Sequence, residues 1–284
     1  MSVLTADRIE TLRDRRFRRN KLLQVKTIEE ALDFVNEVGF CFAFAAKNSE
    51  LPCLWHAACG ARNPVMPQHT HHDPYIGLVW QAKDVLPAQR KIYYGKALKK
   101  RPTMISLDYF PFFYKLIRSD DEPEDYVIRY MDGELSVPAR RIMDALMEAA
   151  PQITRELKQA SGYSHPRQRY EFDNAMAELQ MQLYIVKIGE LSDPFTFVWD
   201  LVDNRFPEAV ESASRITEEA AYRNILLKYF ENVVVADKNQ IMRLFGWSDH
   251  IVIDILQDLS ADGVLEEMVI ESVRGDFWGL SKTG

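Results

Sequence analysis

The chain has no apolar run long enough to cross a bilayer. Its longest, Gly39 to Ala46, falls far short of the roughly 20 residues a spanning helix requires. The Arg-rich N-terminal stretch also lacks the apolar segment of a secretory signal. These absences lead to the expectation of no membrane contact and a cytoplasmic setting. Cysteine is scarce: Cys41, Cys53 and Cys59 are the only three among 284 residues. With an odd number and no C-x-x-C, neither a disulfide framework nor a thiolate zinc site is indicated, and these residues are expected to be small buried hydrophobes. G-x-S-x-G, a Walker A loop and G-x-G-x-x-G are all missing, so nucleophilic hydrolysis and nucleotide binding have no motif support, and no cofactor is expected.

What is present is a globular composition, 47% hydrophobic, sufficient for two or three modules. The net charge of −7 is unevenly spread. Arg13 to Lys21 carries six basic residues and one Asp, and Ala88 to Arg118 carries eight against Asp108, which leaves −19 for the rest. Such segregation can set a cationic surface on an acidic body, a pattern that points to polyanion contact. The first stretch can equally be a solvated helix face. The second interleaves Tyr93, Tyr94, Tyr109, Phe110, Phe112, Phe113 and Tyr114 with its charges, and aromatics can stack on or wedge between bases. Candidate nucleic-acid-binding residues are therefore Arg15, Arg16, Arg18, Arg19, Lys21, Lys96, Lys99, Lys100 and Arg101.

Periodicity predicts a mostly α chain with small β ribbons, an α+β fold of three tandem winged-helix modules. In the last, 211–284, Thr217 caps a helix whose Ile225, Leu226, Tyr229 and Phe230 fall at helical spacing. Asp237 opens a second helix that stops at Gly246, and Ser248 opens a third that ends before Gly263. Val264 to Val273 and Phe277 to Leu280 then read as a two-stranded ribbon. Three helices followed by a ribbon is the winged-helix layout. The same order recurs within 126–210: helices over Pro138 to Ala149, Thr154 to Ala160 and Pro166 to Leu179, with Tyr170, Ala175, Met176 and Leu179 inward. Strands Leu183 to Ile188 and Phe195 to Val202 follow, with Gly189 to Pro194 as wing tip. In the first module, 1–125, a basic helix from Thr5 to Arg19 precedes one from Thr27 to Gly39. The apolar run after Gly39 would then be a wing strand. Arg62 to Pro74 reads as a loop, and Asp120 to Asp125 as an acidic, solvated hinge.

The histidine loop His69, His71, His72 invites a metal reading, but adjacent ligands on a loop lack the spacing of a helix-borne site and no second cluster partners them. No metal is expected. The third helix of the middle module opens with His165, Arg167, Gln168 and Arg169, types that reach phosphates or base edges, so Arg167 and Arg169 join the nucleic-acid candidates. The last module's third helix instead carries Asp249, Asp254, Asp258 and Asp262 opposite its apolar stripe, which suits a protein partner along Ser248 to Asp262 and repels phosphate.

These residues resemble a known family, the bacterial crosslink-repair DNA glycosylases of the AlkZ and YcaQ type. Gly39-Phe40-Cys41 leading into Phe42-Ala43-Phe44, with Leu54-Trp55 downstream, resembles the family's stretch that bears Gln-x-Gln or Gln-x-Asp. Ile92 to Lys96 with Phe110-Pro111, Arg169 to Phe172, and Arg243 to Ser248 are similar to later segments. The resemblance implies three winged helices, DNA as partner, and hydrolysis of the N-glycosidic bond of alkylated purines by side chains that place a water. That chemistry needs an amide or carboxylate beside the sugar. Phe42 and Phe44 supply neither, so the expectation is a relative without the usual catalytic pair. Gln24 stands before the helix that should precede the motif, and Gln180-Met181-Gln182 reads as a coincidental Q-x-Q. His56 and the histidine loop, able to titrate near neutrality, are the candidate acid or base groups if activity survives by other means, His56 being the one residue singled out.

Overall fold

The computed structural model describes residues 2–44, 51–118 and 125–281, and the chain divides into two compact units, Met1–Ala82 with Thr217–Gly284, and Lys83–Ile216. The first unit begins with β1 (Ser2–Leu4) and α1 (Ala6–Arg16), which Thr5 caps by accepting from the amide of Arg8. α2 (Ile28–Val38) opens on Thr27, whose hydroxyl accepts from the Glu30 amide, and stops at Gly39, where φ is 74°. Its buried Ala31, Phe34, Val35 and Val38 recur at helical spacing and form the core-facing stripe. Within the described part of the apolar run that follows, Phe40–Phe42 form a strand, β2. The Phe42 amide donates to the Pro52 carbonyl at 3.0 Å, and α3 (Leu54–Cys59) follows directly. α4 (Pro74–Ala88) opens on Asp73, whose carboxylate accepts from the amides of Tyr75 and Ile76 at 2.9 and 2.8 Å.

In the second unit, β3 (Ile92–Leu98) and β4 (Arg101–Ser106) form an antiparallel hairpin. α5 (Phe110–Ile117), α6 (Asp125–Met131) and α7 (Val137–Ala149) come next, α7 capped by Ser136. β5 (Gln152–Ile153), α8 (Thr154–Ala160), α9 (Arg169–Met181), β6 (Ile185–Ser192) and β7 (Phe195–Leu201) complete the helix, helix, helix, ribbon order expected here. The strands align β5-β7-β6. Ile142, Leu146, Leu157, Phe172, Leu179 and Ile185 make the core. Two short helices, α10 (Val202–Arg205) and α11 (Pro207–Ser214), close the unit.

Two expectations are corrected here. Tyr170 is 80% exposed rather than inward, because the buried stripe of α9 runs through Phe172, Ala175, Met176 and Leu179, and Tyr170 lies out of phase with it. Of the acidic hinge, residues 120–124 lie outside the described residues, and Asp125 is buried in an ion pair rather than solvated.

The first unit resumes with α12 (Glu218–Val233), capped by Thr217, then β8 (Val235–Asp237), α13 (Lys238–Phe245), α14 (Asp249–Ala261), β9 (Leu265–Ile270) and β10 (Phe277–Leu280). β9 and β10 are antiparallel, and the four-stranded sheet runs β1-β9-β10-β8, with β1 parallel to β9. Arg13, from the first basic stretch, is buried and fastens α1 to this segment. Its Nε donates to the Val233 carbonyl at 2.7 Å and its guanidinium also reaches the Val235 carbonyl at 3.1 Å.

Candidate nucleic-acid interface

Three periodicities converge within Lys83–Ile216. On α9, Arg169, Asp173, Met176 and Gln180 recur at helical spacing with Phe172 beside them, and so share one face. On β3, Tyr94 and Lys96 alternate around Gly95, and on β7 Phe197 and Trp199 do the same, each pair facing one side of its strand. Lys187 on β6 pairs across to Trp199, next to a register irregularity between Lys187 and Gly189. With Thr154 and Lys158 of α8 and with Lys83, these residues line a cleft of about 600 Å³.

The wall of the cleft is braced. The indole Nε1 of Trp199 donates to Thr154 Oγ1 at 3.0 Å, that hydroxyl donates to the Phe197 carbonyl at 3.2 Å, and the Phe197 and Trp199 rings stand perpendicular at 6.1 Å. Gly95 keeps the hairpin close to α9. A Cβ there would lie 2.3 Å from the Tyr93 hydroxyl, which donates to the Gln180 carbonyl at 3.2 Å.

The cations differ in how free they are. Lys187 is held by Asp84 at 2.6 Å and Glu190 at 3.1 Å and lies over the Phe197 ring, and Lys83 is held by Asp84 at 2.7 Å. Lys96 and Lys158 meet no carboxylate among the described residues, and Lys158 sits 4.8 Å from the Phe172 centroid. Arg169 touches Asp173 only at 3.5 Å with its side chain 79% exposed. The available positive charge of the cleft therefore belongs to Lys96, Lys158 and Arg169.

Other sequence candidates lie outside the cleft. Lys99 and Lys100 form the two-residue tip between β3 and β4, exposed and with φ of 52° and 55°. Arg101 and Arg167 are exposed. In the first unit, Arg15 is exposed, whereas its neighbours are engaged internally. Arg16 donates to the Glu231 carbonyl at 3.1 Å, Arg18 pairs with Glu37 at 2.8 Å, and Arg19 pairs with Glu10 and Asp14, each at 2.9 Å. Lys21 donates to the Cys59 carbonyl at 2.8 Å.

At the positions that resemble the glycosylase motif, Phe42 is 1% exposed in an apolar core and Phe44 is half-buried. Neither ring supplies a hydrogen bond. Gln24 lies in the loop before α2, donating to the Ala58 carbonyl at 2.7 Å. Burial, with a smaller contribution from Arg19, lowers the pKa of His56 to about 4, so its imidazole is neutral at pH 7. It can accept a proton there but is not a stored acid. Burial also pushes the Cys53 and Cys59 thiols up to about 12 and 11, which keeps them protonated and poor nucleophiles. His71 packs against Trp80 at 5.3 Å, and among the described residues no group of three or more His, Cys, Asp and Glu side chains is arranged to hold a metal. On α14, Asp249 and Asp262 are held by Lys238 and Arg223, each at 2.6 Å, while Asp254 and Asp258 are exposed.

The sequence reading of the interface missed Lys83, Thr154, Lys158, Lys187 and Trp199, and set Gln180 aside. The alternation of Phe197 and Trp199 is a local signal for a shared face. Nothing in the linear order joins that face to α8, α9 and β3.

The fold and cleft define a mostly helical α+β chain with small ribbons and a cationic, aromatic concavity. A family model described as AlkZ related matches residues 25–246, and the chain belongs to that family. Among solved structures it is similar to the Streptomyces sahachiroi DNA glycosylase AlkZ, with a TM-score of 0.63 and 12% identity over 99% of this chain and 71% of that one, a likeness of fold. A comparison with curated proteins finds no match. Among the described residues no helix is long and apolar enough to cross a membrane.

Proposed function

We propose that this relative of DNA-repair glycosylases is a cytoplasmic DNA-binding protein built from three winged-helix modules, 1–125, 126–210 and 211–284. It holds DNA through the Lys83–Ile216 unit and works without the family's water-placing pair. The observation that carries this reading is the gathering of Lys96, Lys158 and Arg169 with Tyr94, Phe197 and Trp199 around one cleft. Lys96 and Lys158, which meet no carboxylate among the described residues, and the exposed Arg169, held only by a 3.5 Å contact to Asp173, suit a phosphate backbone and unstacked bases beside these aromatic faces. The hairpin tip adds support. Two-residue hairpin loops with positive φ favour Asn and Gly, and L-residues pay about 1 kcal/mol or more each for such backbone. Lys99 and Lys100 occupy that tip despite this cost, which fits side chains retained for contact rather than for turn formation. DNA is favoured over other polyanions because the structural relative is a DNA glycosylase.

The loss of the usual catalytic pair rests on the side chains at the motif positions. Phe42 and Phe44 can neither orient nor deprotonate a water. Binding of a fluorescent duplex titrated with salt tests the reading. Affinity should fall steeply as salt rises, and the charge-reversal variant Lys96→Glu/Lys158→Glu/Arg169→Glu should bind less tightly with a shallower slope. A duplex that binds the variant as well as the native chain excludes this surface.

An active glycosylase using other residues would rest on His56, since burial leaves it a neutral base. Release of an alkylated base that disappears in His56→Gln would favour it. A protein partner at Ser248 to Asp262 would rest on Asp254 and Asp258, the two aspartates of α14 that are exposed without an ion pair among the described residues.

A further inference from the structure

We infer that the cleft of the Lys83–Ile216 unit receives a single nucleobase together with its attached phosphate, the base among the aromatic side chains and the phosphate at Lys158. This rests on the nucleic-acid reading above and adds to it a base-sized site, where charge alone would predict only backbone contact.

Size and lining both support a flat, polar-edged ring. The cleft holds about 600 Å³, and its interior presents Tyr94, Phe172, Met176 and Phe197. Small-ligand sites of about 300–1,000 Å³ are mostly apolar, with few polar groups fixing orientation. Here such groups are Gln180 and Asp173. Gln180 is 7% exposed, and its amide nitrogen donates back to the Met176 carbonyl at 2.9 Å. Among the described residues nothing donates to its Oε1, which remains an acceptor for a ring N–H or exocyclic amine. Asp173, held only by the long contact to Arg169, is a second acceptor.

A different surface adjoins this one. A groove of about 500 Å³ is lined by Arg155, Gln159, Ser164 and Thr196, and it shares Thr154 and Lys158 with the cleft. It has cations, hydroxyls and an amide but no aromatic side chain, the composition that binds phosphate and sugar. Lys158 is at the junction. An aromatic chamber joined to a polar cationic groove through one lysine matches the layout of a base joined to its phosphate. The ligand could come as a free nucleotide or as one unit of a strand, and the chemistry recognised is the same.

Isothermal titration of the full chain distinguishes these cases with four probes: deoxyadenosine monophosphate, deoxyribose 5-phosphate, a single-stranded oligodeoxyadenylate, and an abasic oligomer of equal length. The base-bearing oligomer should bind at least tenfold more tightly than the abasic one. Lys158→Glu should weaken both oligomers. Gln180→Met, nearly isosteric, should weaken only the base-bearing one. Binding of the monophosphate but not the sugar phosphate would also support the inference and identify a free nucleotide as a sufficient source. Equal binding of the two oligomers, both weakened by Lys158→Glu, would overturn the base site and leave the nucleic-acid reading standing. Failure of both oligomers to bind would overturn the inference, and failure of a duplex to bind as well would overturn the nucleic-acid reading with it.

Discussion

Arg118 and Asp125 form an ion pair of 2.8 Å between side chains only 3% and 5% exposed, and the guanidinium lies 4.0 Å from the centre of the Tyr184 ring. Burial raises the Asp125 carboxyl above its ordinary pKa despite the opposing pull of Arg118. That sign is expected where desolvation exceeds the attraction within a pair. Removing one partner therefore leaves a buried uncompensated charge. Arg118→Met should destabilise the protein by about 3–5 kcal/mol, whereas Arg118→Met/Asp125→Leu should recover much of that loss. Urea unfolding of the two variants checks this, and a double variant no more stable than the single one would show that the pair is net stabilising.

The hairpin tip separates stability from binding. Lys99→Asn/Lys100→Gly supplies residues that accept positive φ and should stabilise the chain by about 1–2 kcal/mol. The same change removes two exposed charges and should weaken DNA binding. Thermal unfolding and a binding titration on the one variant read both effects. A variant that is stabilised and binds unchanged would remove the tip from the interface.

The two motif positions should respond differently to an introduced amide. Phe42→Gln would bury a polar group where the present side chain is 1% exposed, and a cost of about 3–5 kcal/mol is expected from the lost ring and the unmet hydrogen bonds. Phe44 is half-buried, so Phe44→Gln should cost about 1 kcal/mol, the ordinary scale of point changes. Denaturation midpoints of the pair provide the check.

His56 sets a pH dependence. Its folded-state pKa of about 4 lies below the ordinary 6.5, so the unfolded chain takes up the proton first as pH falls. Stability from this group is complete above about pH 6.5 and declines as pH drops towards 4. His56→Gln should flatten that part of the stability profile and leave the neutral region's slope unchanged. An unaltered profile would mean that the imidazole titrates normally in the fold.

Local chemistry made much of the fold legible. Thr27, Thr217 and Asp237 cap the helices they were expected to open, and Gly39 and Gly246 end helices with the positive φ that glycine tolerates. Ser248 begins α14 without a side-chain capping bond, its hydroxyl lying 3.1 Å from the His250 ring instead. β1 could not be read, because its three residues acquire strand geometry only by pairing with β9, at the other end of the sequence. α4 was obscured by Gly77 and Pro87, which break the helical pattern, and α10 and α11 by their brevity. The basic clusters were visible as charge, but charge does not show which cations fold back. Arg13, Arg18 and Arg19 do, whereas Lys158, on α8 and outside both basic clusters, gains its place from the elements gathered around it.

The central claim is that Lys96, Lys158 and Arg169 carry the contact with DNA. Measuring the dependence of duplex affinity on salt for the native chain and for the triple glutamate variant tests it directly. Each lost phosphate contact lowers the logarithmic salt slope by about 0.9. The account predicts a steep native slope and a loss of about two to three such increments in the variant, with Arg18→Ala, whose side chain is paired with Glu37, causing little change. Equal slopes for the native chain and the triple variant would contradict it.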